Sequence, residues 1–129
     1  MQLSDMDRIT SLLTNYLDIQ SRRAEVVAGN LANADTPGYK AKELTFKDYL
    51  RTAAEYSIAP GQTAAAMAEV SGSVRVVEQT GNTPGIDGNT VDPGREMATL
   101  AEAGIQFLAG TQMLQSHFRM LRASIREGR

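Results

Sequence analysis

Hydrophobic residues recur every three or four positions along the first third of the chain. The repeat consists of Ile9, Leu12, Leu13, Tyr16, Ile19, Val26, Val27 and Leu31. This spacing predicts an amphipathic helix over residues 4–33, with Ser4 as its N-cap. The apolar face is wider than a two-stranded coiled-coil seam, so we expect the helix to contact more than one neighbour. Arg23 interrupts this face, and we expect it to snorkel or to pair with a carboxylate of another chain.

A second helical pattern occupies the last third of the chain, and it predicts a helix over residues 93–125. Asp92 is the expected N-cap and Pro93 the first helical residue, where the missing N–H of proline costs nothing. Small residues at Gly104 and Thr111 are expected to let another helix approach closely. The apolar positions alternate steps of three and four as a heptad seam: Met97, Leu100, Gly104, Phe107, Thr111, Leu114, Phe118, Leu121 and Ile125.

The residues between the helices are rich in glycine, proline and asparagine and poor in apolar anchors. Residues 45–50 are predicted to form either a short helix or an edge strand, and residues 73–78 one weak strand. An insert with so few anchors cannot build a core of its own, so we expect it to be loop-rich and weakly ordered.

These patterns predict a mainly α chain, in which two long terminal helices form a coiled-coil-like hairpin around the insert. The expected division is residues 1–41, 42–92 and 93–129, with the two helices together forming one assembly domain. A single pair of helices buries only part of such wide apolar faces, and therefore stability is expected to require helices from other chains.

Composition narrows the possible functions. The chain has 129 residues, a net charge of −2 and no cysteine, which disfavours nucleic acid as a partner and excludes thiol chemistry. No apolar run is long enough to span a membrane, and the polar N-terminal residues predict no cleaved signal peptide. His117 is the only histidine and has no carboxylate three or four residues away to orient it. The sequence therefore predicts no catalytic residue, no metal site and no cofactor, and an enzyme is not expected.

Residues 30–40 read Asn-Leu-Ala-Asn-Ala-Asp-Thr-Pro-Gly-Tyr-Lys. Pro37 and Gly38 fit the centre of a type II turn, because proline presets φ and glycine tolerates a positive φ. The residue before a proline disfavours helix, so the first helix is expected to stop by Thr36. Asn30 and Asn33 share one helical face, where we predict that their amides bridge backbone groups of a neighbouring helix.

This run resembles the N-terminal signature of the bacterial flagellar axial proteins, which form the rod, the hook and the hook–filament junction. A second likeness is the sequence Asp-Gly-Asn-Thr-Val-Asp over residues 87–92, followed by Arg95-Glu96-Met97, which is similar to the proximal-rod branch of that family. Pro93-Gly94 departs from the pattern of that branch. The short insert agrees with it, because hook and distal-rod members carry extra β domains.

The resemblance implies a structural subunit of the proximal rod, the tubular drive shaft that transmits torque for motility. Implied partners are other copies of the chain, proximal and distal rod subunits, the adaptor at the rod base and export gate, and the flagellar type III export apparatus. The implied location is the periplasmic rod of the flagellar basal body.

Twelve residues are expected to carry assembly. They are Leu13, Tyr16, Asn30, Asn33, Pro37, Gly38, Tyr39, Leu100, Phe107, Leu114, Phe118 and Leu121. The alternative function is a soluble helical adaptor or secretion chaperone, which would explain the heptads but not the run at residues 30–40.

Overall fold

The computed structural model describes residues 3–46 and 74–128, and residues 3–6 by their backbone alone. Its four elements are helix α1 (Leu3–Ala32), strand β1 (Lys42–Thr45), strand β2 (Arg75–Glu78) and helix α2 (Pro93–Glu127). The predicted fold of two long helices packed against each other is confirmed. The predictions for residues 47–73 lie outside the described residues.

The ends of the helices follow local sequence signals closely at α2 and less closely at α1. The Asp92 side chain accepts hydrogen bonds from the backbone N–H of Gly94 and Arg95, at 3.0 and 3.2 Å, and Pro93 is the first helical residue as predicted. The prediction of Ser4 as the N-cap of α1 is wrong, because the helix begins at Leu3 and includes Ser4. Neither helix, within the described ranges, is long and apolar enough to cross a membrane.

The two helices are antiparallel, and α2 turns a different face to α1 from the one that the heptad reading predicts. Its fully buried residues are Glu96, Ala103, Gly110 and His117, one residue every seven. A Cβ added at Gly110 would lie 2.8 Å from Leu17 Cδ2, whereas one added at Gly104 would meet nothing within 4 Å. The close approach therefore occurs at Ala103 and Gly110, and the prediction for Gly104 is wrong.

The predicted seam of α2 is divided between buried and exposed positions. Leu100, Thr111, Leu114 and Leu121 are half-buried. Five others are exposed: Met97, Gly104, Phe107, Phe118 and Ile125. The physical reason is that the small residues Ala103 and Gly110 let their side of α2 lie close against α1, so larger apolar residues on its other sides, such as Phe107 and Ile125, remain exposed.

The insert is ordered at its two described ends. Strands β1 and β2 pair antiparallel, with Lys42 opposite Glu78 and Thr45 opposite Arg75, which confirms the predicted strand at β2. Residues 45–50 are predicted to form either a short helix or an edge strand. Thr45, the first of them, is the last residue of strand β1, which agrees with the strand alternative at that position. Leu44, Phe46 and Val74 pack around buried Ile19 of α1 together with Leu12. The flanks of the insert thus find their apolar partners on the first helix.

Candidate assembly site at the end of the first helix

Helix α1 ends at Ala32 and continues into a tight turn. The N–H of Tyr39 donates to the carbonyl of Thr36 at 3.2 Å, and Gly38 has a φ of +73°. This is the type II turn predicted for Pro37 and Gly38, since proline keeps a negative φ at the second residue and the positive φ falls at the third. Residues 33–41, which carry the chain away from α1, are called the exit segment below.

Asn30 is completely buried and connects three elements of the same chain. Its Nδ2 donates to the carbonyl of Lys42 at 2.7 Å and to Glu96 Oε2 at 2.9 Å, and its Oδ1 accepts from the N–H of Lys42 at 2.9 Å. The prediction that it bridges the backbone of a neighbouring helix is wrong. The Asn30 amide instead pairs with both the N–H and the carbonyl of Lys42 at the start of β1. This is possible because the exit segment folds back onto the last turns of α1.

Asn33 serves the end of its own helix. Its Nδ2 donates to the carbonyl of Gly29 at 2.8 Å, and its Oδ1 accepts from the Thr36 hydroxyl at 3.2 Å. It also does not bridge a neighbouring helix, contrary to the prediction. The two asparagines of the motif therefore hold the backbone on either side of the point where α1 ends.

Glu96 is the buried acceptor at the centre of this region. Its two carboxylate oxygens accept from Asn30 Nδ2 at 2.9 Å and from Gln79 Nε2 at 2.7 Å. The Asn82 side chain donates to Gln79 Oε1 and accepts from Arg95, which extends the network to the surface. Sequence reasoning missed this role of Glu96, although its place on the repeat with Ala103, Gly110 and His117 was an available signal.

Asn89, which belongs to the Asp-Gly-Asn-Thr-Val-Asp run of residues 87–92, contacts the exit segment. Its Nδ2 lies 2.9, 2.9 and 2.8 Å from the carbonyl oxygens of Asn33, Ala34 and Thr36. Carbonyls at the end of a helix have no partner within the helix. Asn89 therefore adds donors from a distant part of the chain to three carbonyls of the exit segment, two of which also accept from a local N–H.

Arg23 has its partners within the chain. Its guanidinium lies 3.2 Å from Glu102 Oε2 on α2 and 5.8 Å from the centroid of the Phe46 ring. Within the chain Arg23 therefore pairs with a carboxylate of α2, and pairing with another chain stays a prediction. A shallow cleft of about 210 Å³ beside Arg23 also contains Lys42 and Arg95.

The twelve residues expected to carry assembly fall into two groups. Asn30, Asn33, Pro37, Gly38 and Tyr39 come together at the end of α1, where the Tyr39 hydroxyl lies 3.4 Å from Asn30 Oδ1. The other seven are spread along the helical hairpin: Leu13, Tyr16, Leu100, Phe107, Leu114, Phe118 and Leu121. In this second group the Tyr16 ring packs against α2 at Gly110, where the absence of a side chain leaves room for it.

Most of the exposed large hydrophobic side chains in the described part of the chain lie on helix α2. Eight of the eleven lie on it, and none lies on the described part of α1. They constitute the outer surface of α2: Met97, Ile105, Phe107, Leu108, Met113, Phe118, Met120 and Ile125. Monomeric proteins rarely expose an apolar patch of such extent unless it binds a partner.

Comparison with known families assigns the end of α1 to a class of proteins. Residues 17–40 match the family model of the flagella basal body rod protein. The matched stretch contains Asn30, Asn33 and the type II turn. The end of α1 is therefore similar to the flagellar basal body rod proteins.

Individual relatives extend the likeness beyond the matched stretch. The chain is 28% identical over 127 residues to the flagellar basal body rod protein FlgB of Salmonella typhimurium, covering 88% of this chain and 92% of that protein. For FlgB of Escherichia coli K12 the identity is 26% over 136 residues, covering 98% and 99%. FlgB of Yersinia enterocolitica is 24% identical over 137 residues with the same coverage. These likenesses support a structural rod subunit of the FlgB kind and not an enzyme.

Proposed function

We propose that this chain is a subunit of the proximal rod, where its helical hairpin packs with other copies and with other rod proteins into a tubular drive shaft. Contacts between different surfaces of successive subunits propagate into a helical assembly instead of closing. The likeness to FlgB proteins over nearly the whole chain supports this role. We extend it to a periplasmic location, to export through the flagellar type III apparatus, and to contacts with distal rod subunits and the adaptor at the rod base.

The outer surface of α2 is the observation that carries the proposal. Ile105 is 69% exposed and follows Glu96 by nine residues, about two and a half turns, so it lies opposite the face that packs on α1. Burying such side chains against a neighbouring helix removes apolar surface from water, which favours association. Phe107 and Phe118, both expected to carry assembly, belong to this surface.

The exit segment is proposed as the second contact region. Pro37 and Gly38 are exposed and can touch a neighbouring subunit directly. Asn30 is buried, so its contribution to assembly is to hold the exit segment in place. We propose the same indirect role for the half-buried residues of the hairpin: Leu13, Tyr16, Leu100, Leu114 and Leu121. In this proposal residues 1–41 and 93–129 form the assembly domain, and residues 42–92 are the insert.

A charge placed on the outer surface of α2 tests the proposal. In a strain lacking the chain, Ile105→Asp is expected to abolish motility and to remove the chain from the detergent- and alkali-resistant pellet that contains hook and ring components. Ile86→Asp is the matched control, because Ile86 is fully exposed in the loop before α2 and stands alone. Both purified variants are expected to melt close to the parent, since neither side chain is buried.

Two outcomes would overturn the proposal. If Ile105→Asp enters the pellet as well as Ile86→Asp does, the outer surface of α2 is not an assembly contact. If the parent chain remains a small discrete soluble species in cells that carry flagella, the rod function itself is wrong. That second outcome is what the adaptor or chaperone alternative predicts.

A further inference from the structure

The exit segment is held in place by residues from the far side of the insert. Residues 87–90, called the clamp segment here, lie about fifty positions later in the chain and hydrogen-bond to it repeatedly. The N–H of Gly38 donates to the carbonyl of Asp87 at 2.9 Å, and Lys40 Nζ donates to the carbonyl of Gly88 at 3.1 Å. The turn of the family motif is therefore completed by a distant part of the sequence.

Asn89 is the central residue of the clamp segment. Its side chain is buried, and its Nδ2 is shared among the three carbonyls of residues 33, 34 and 36. Its other polar groups are also engaged: Oδ1 accepts from the N–H of Val91 at 2.7 Å, and its own N–H donates to Asp87 Oδ1 at 3.1 Å. Only an amide side chain supplies donors and an acceptor together in this way.

The two segments also meet backbone to backbone. Gly38 and Gly88 both have a positive φ, of 73° and 79°, and a Cβ added to Gly88 would lie 3.6 Å from Gly38 Cα. Next to this contact the N–H of Thr90 donates to the carbonyl of Tyr39 at 3.0 Å, and Thr90 Oγ1 accepts from the N–H of Ala41 at 2.8 Å. The clamp segment thus covers the turn from Asn33 to Ala41.

We propose that Asn89 is a positioning residue for assembly: docking of the clamp segment through its amide orders the exit segment. The signature at residues 30–40 then does not form its turn by local preference alone. The Asn89 amide joins the carbonyls of residues 33, 34 and 36 through one side chain, whereas the local N–H groups of Thr36 and Tyr39 hold only those of Asn33 and Thr36. The consequence for rod assembly rests on the proposed function, whereas the ordering of the turn does not.

Amide hydrogen exchange on the purified full chain tests the ordering directly. Asn89→Asp removes both donors and places a carboxylate against three carbonyl oxygens. The N–H groups of Gly38, Ala41 and Thr90 are expected to exchange about tenfold faster or more, while those in the middle of α1 keep their protection. Asp92→Asn is the matched control, because it exchanges the same two side chains three residues away and asparagine caps a helix as well as aspartate does.

Asn89→Ala is the second variant, since it removes the donors without adding a charge. Unchanged protection at Gly38 and Thr90 in either variant would overturn the proposal. So would a uniform loss of protection along α1 and α2 in both variants, because Asn89 would then support the whole fold and not the turn.

The effect on assembly needs a variant that is equally destabilised elsewhere. Val27→Ala removes buried apolar contact from the last third of α1, and it is expected to lower the melting temperature while leaving the Gly38 amide protected. Expressed in cells, Asn89→Asp is expected to be lost from the rod-containing pellet and Val27→Ala to be retained. Retention of Asn89→Asp despite fast exchange at Gly38 would overturn the role in assembly. Failure of the rod function itself would instead appear as a parent chain that remains a small discrete soluble species in cells that carry flagella, with the exchange results unaffected.

Discussion

The Asn30 amide donates to the Glu96 carboxylate across 2.9 Å, and both side chains are almost completely buried. The two residues lie 66 positions apart, one near the end of α1 and the other in the first turn of α2. Their contact fixes where the second helix begins relative to the end of the first. It also places polar groups in the interior, where each needs a partner.

Glu96→Ala is expected to lower the free energy of unfolding by about 1–3 kcal/mol, because the buried Asn30 amide and the half-buried Gln79 amide each lose one acceptor and keep only the Lys42 carbonyl. Chemical denaturation followed by circular dichroism measures the change. Glu102→Ala is the matched control on the same helix: its pair with Arg23 is half-exposed, and its loss is expected to cost about 0–1 kcal/mol. Equal losses in the two variants would contradict the central role of Glu96.

A double-mutant cycle on Asn30 and Glu96 tests whether the two side chains act together. Asn30→Ala and Glu96→Ala are each expected to destabilise the chain, and the double variant to lose less than the sum of the two. Residues in one hydrogen-bonded network typically show coupling of about 0.5–3 kcal/mol. Simple additivity, within the error of the denaturation curves, would show that the contact contributes no energy of its own.

The two glycines of α2 are expected to respond differently to alanine. Gly104→Ala is expected to stabilise the chain by up to about 1 kcal/mol, because alanine favours helix and the added Cβ meets nothing within 4 Å. Gly110→Ala is expected to gain less, because its Cβ would lie 2.8 Å from Leu17 and 3.1 Å from Tyr16. Gly110→Leu is expected to destabilise by about 1–3 kcal/mol through overpacking. Melting temperatures in the opposite order would contradict the observed facing of α2.

Gly38→Val is expected to destabilise the exit segment by about 1–3 kcal/mol, because a β-branched residue strongly disfavours a φ of +73°. An added Cβ would meet no atom within 4 Å, so the cost is conformational and not steric crowding. Gly38→Asn is the control, since asparagine tolerates the left-handed region better. In cells Gly38→Val is expected to block rod assembly and motility. Motility equal to that of Gly38→Asn would show that this turn is not critical.

Asp92→Ala is expected to cost about 1 kcal/mol, since its side chain accepts from two N–H groups at the start of α2. Its loss is expected to fray the first turn, which carries Arg95 and Glu96. Thermal denaturation should show a lower midpoint for Asp92→Ala and a nearly unchanged one for Asp92→Asn. A normal midpoint for Asp92→Ala would mean that burial of Glu96 alone holds the helix start.

Several features were predictable because they depend on residues close together in the sequence. The cap at Asp92, the proline after it, and the turn at Pro37 and Gly38 each follow from the conformational preferences of a few neighbouring residues. The two helices follow from apolar spacing over about thirty residues. The function could be predicted because the run at residues 30–40 resembles a known family signature.

The heptad reading of α2 failed for an identifiable reason. Apolar residues occur on several faces of this helix, so periodicity alone cannot tell which face meets α1 and which remains outside. The face of α2 that packs against α1 carries the small residues Ala103 and Gly110, whereas larger apolar residues such as Phe118 and Ile105 remain exposed. Small and polar residues carry little weight in a hydrophobic pattern, and for that reason the contacting face was misjudged by one position.

The sequence by itself determined two long helices, their boundaries to within a few residues, the breaking turn between them and the resemblance to a family. Only the tertiary structure decided the partners of Asn30, Glu96 and Asn89, and which side of α2 remains open to other subunits. Local rules act over one or two turns of chain, whereas the contacts of Asn30 with Glu96 and of Asn89 with Thr36 join residues more than fifty positions apart. They exist because antiparallel packing brings the end of α1, the two strands and the start of α2 to one place.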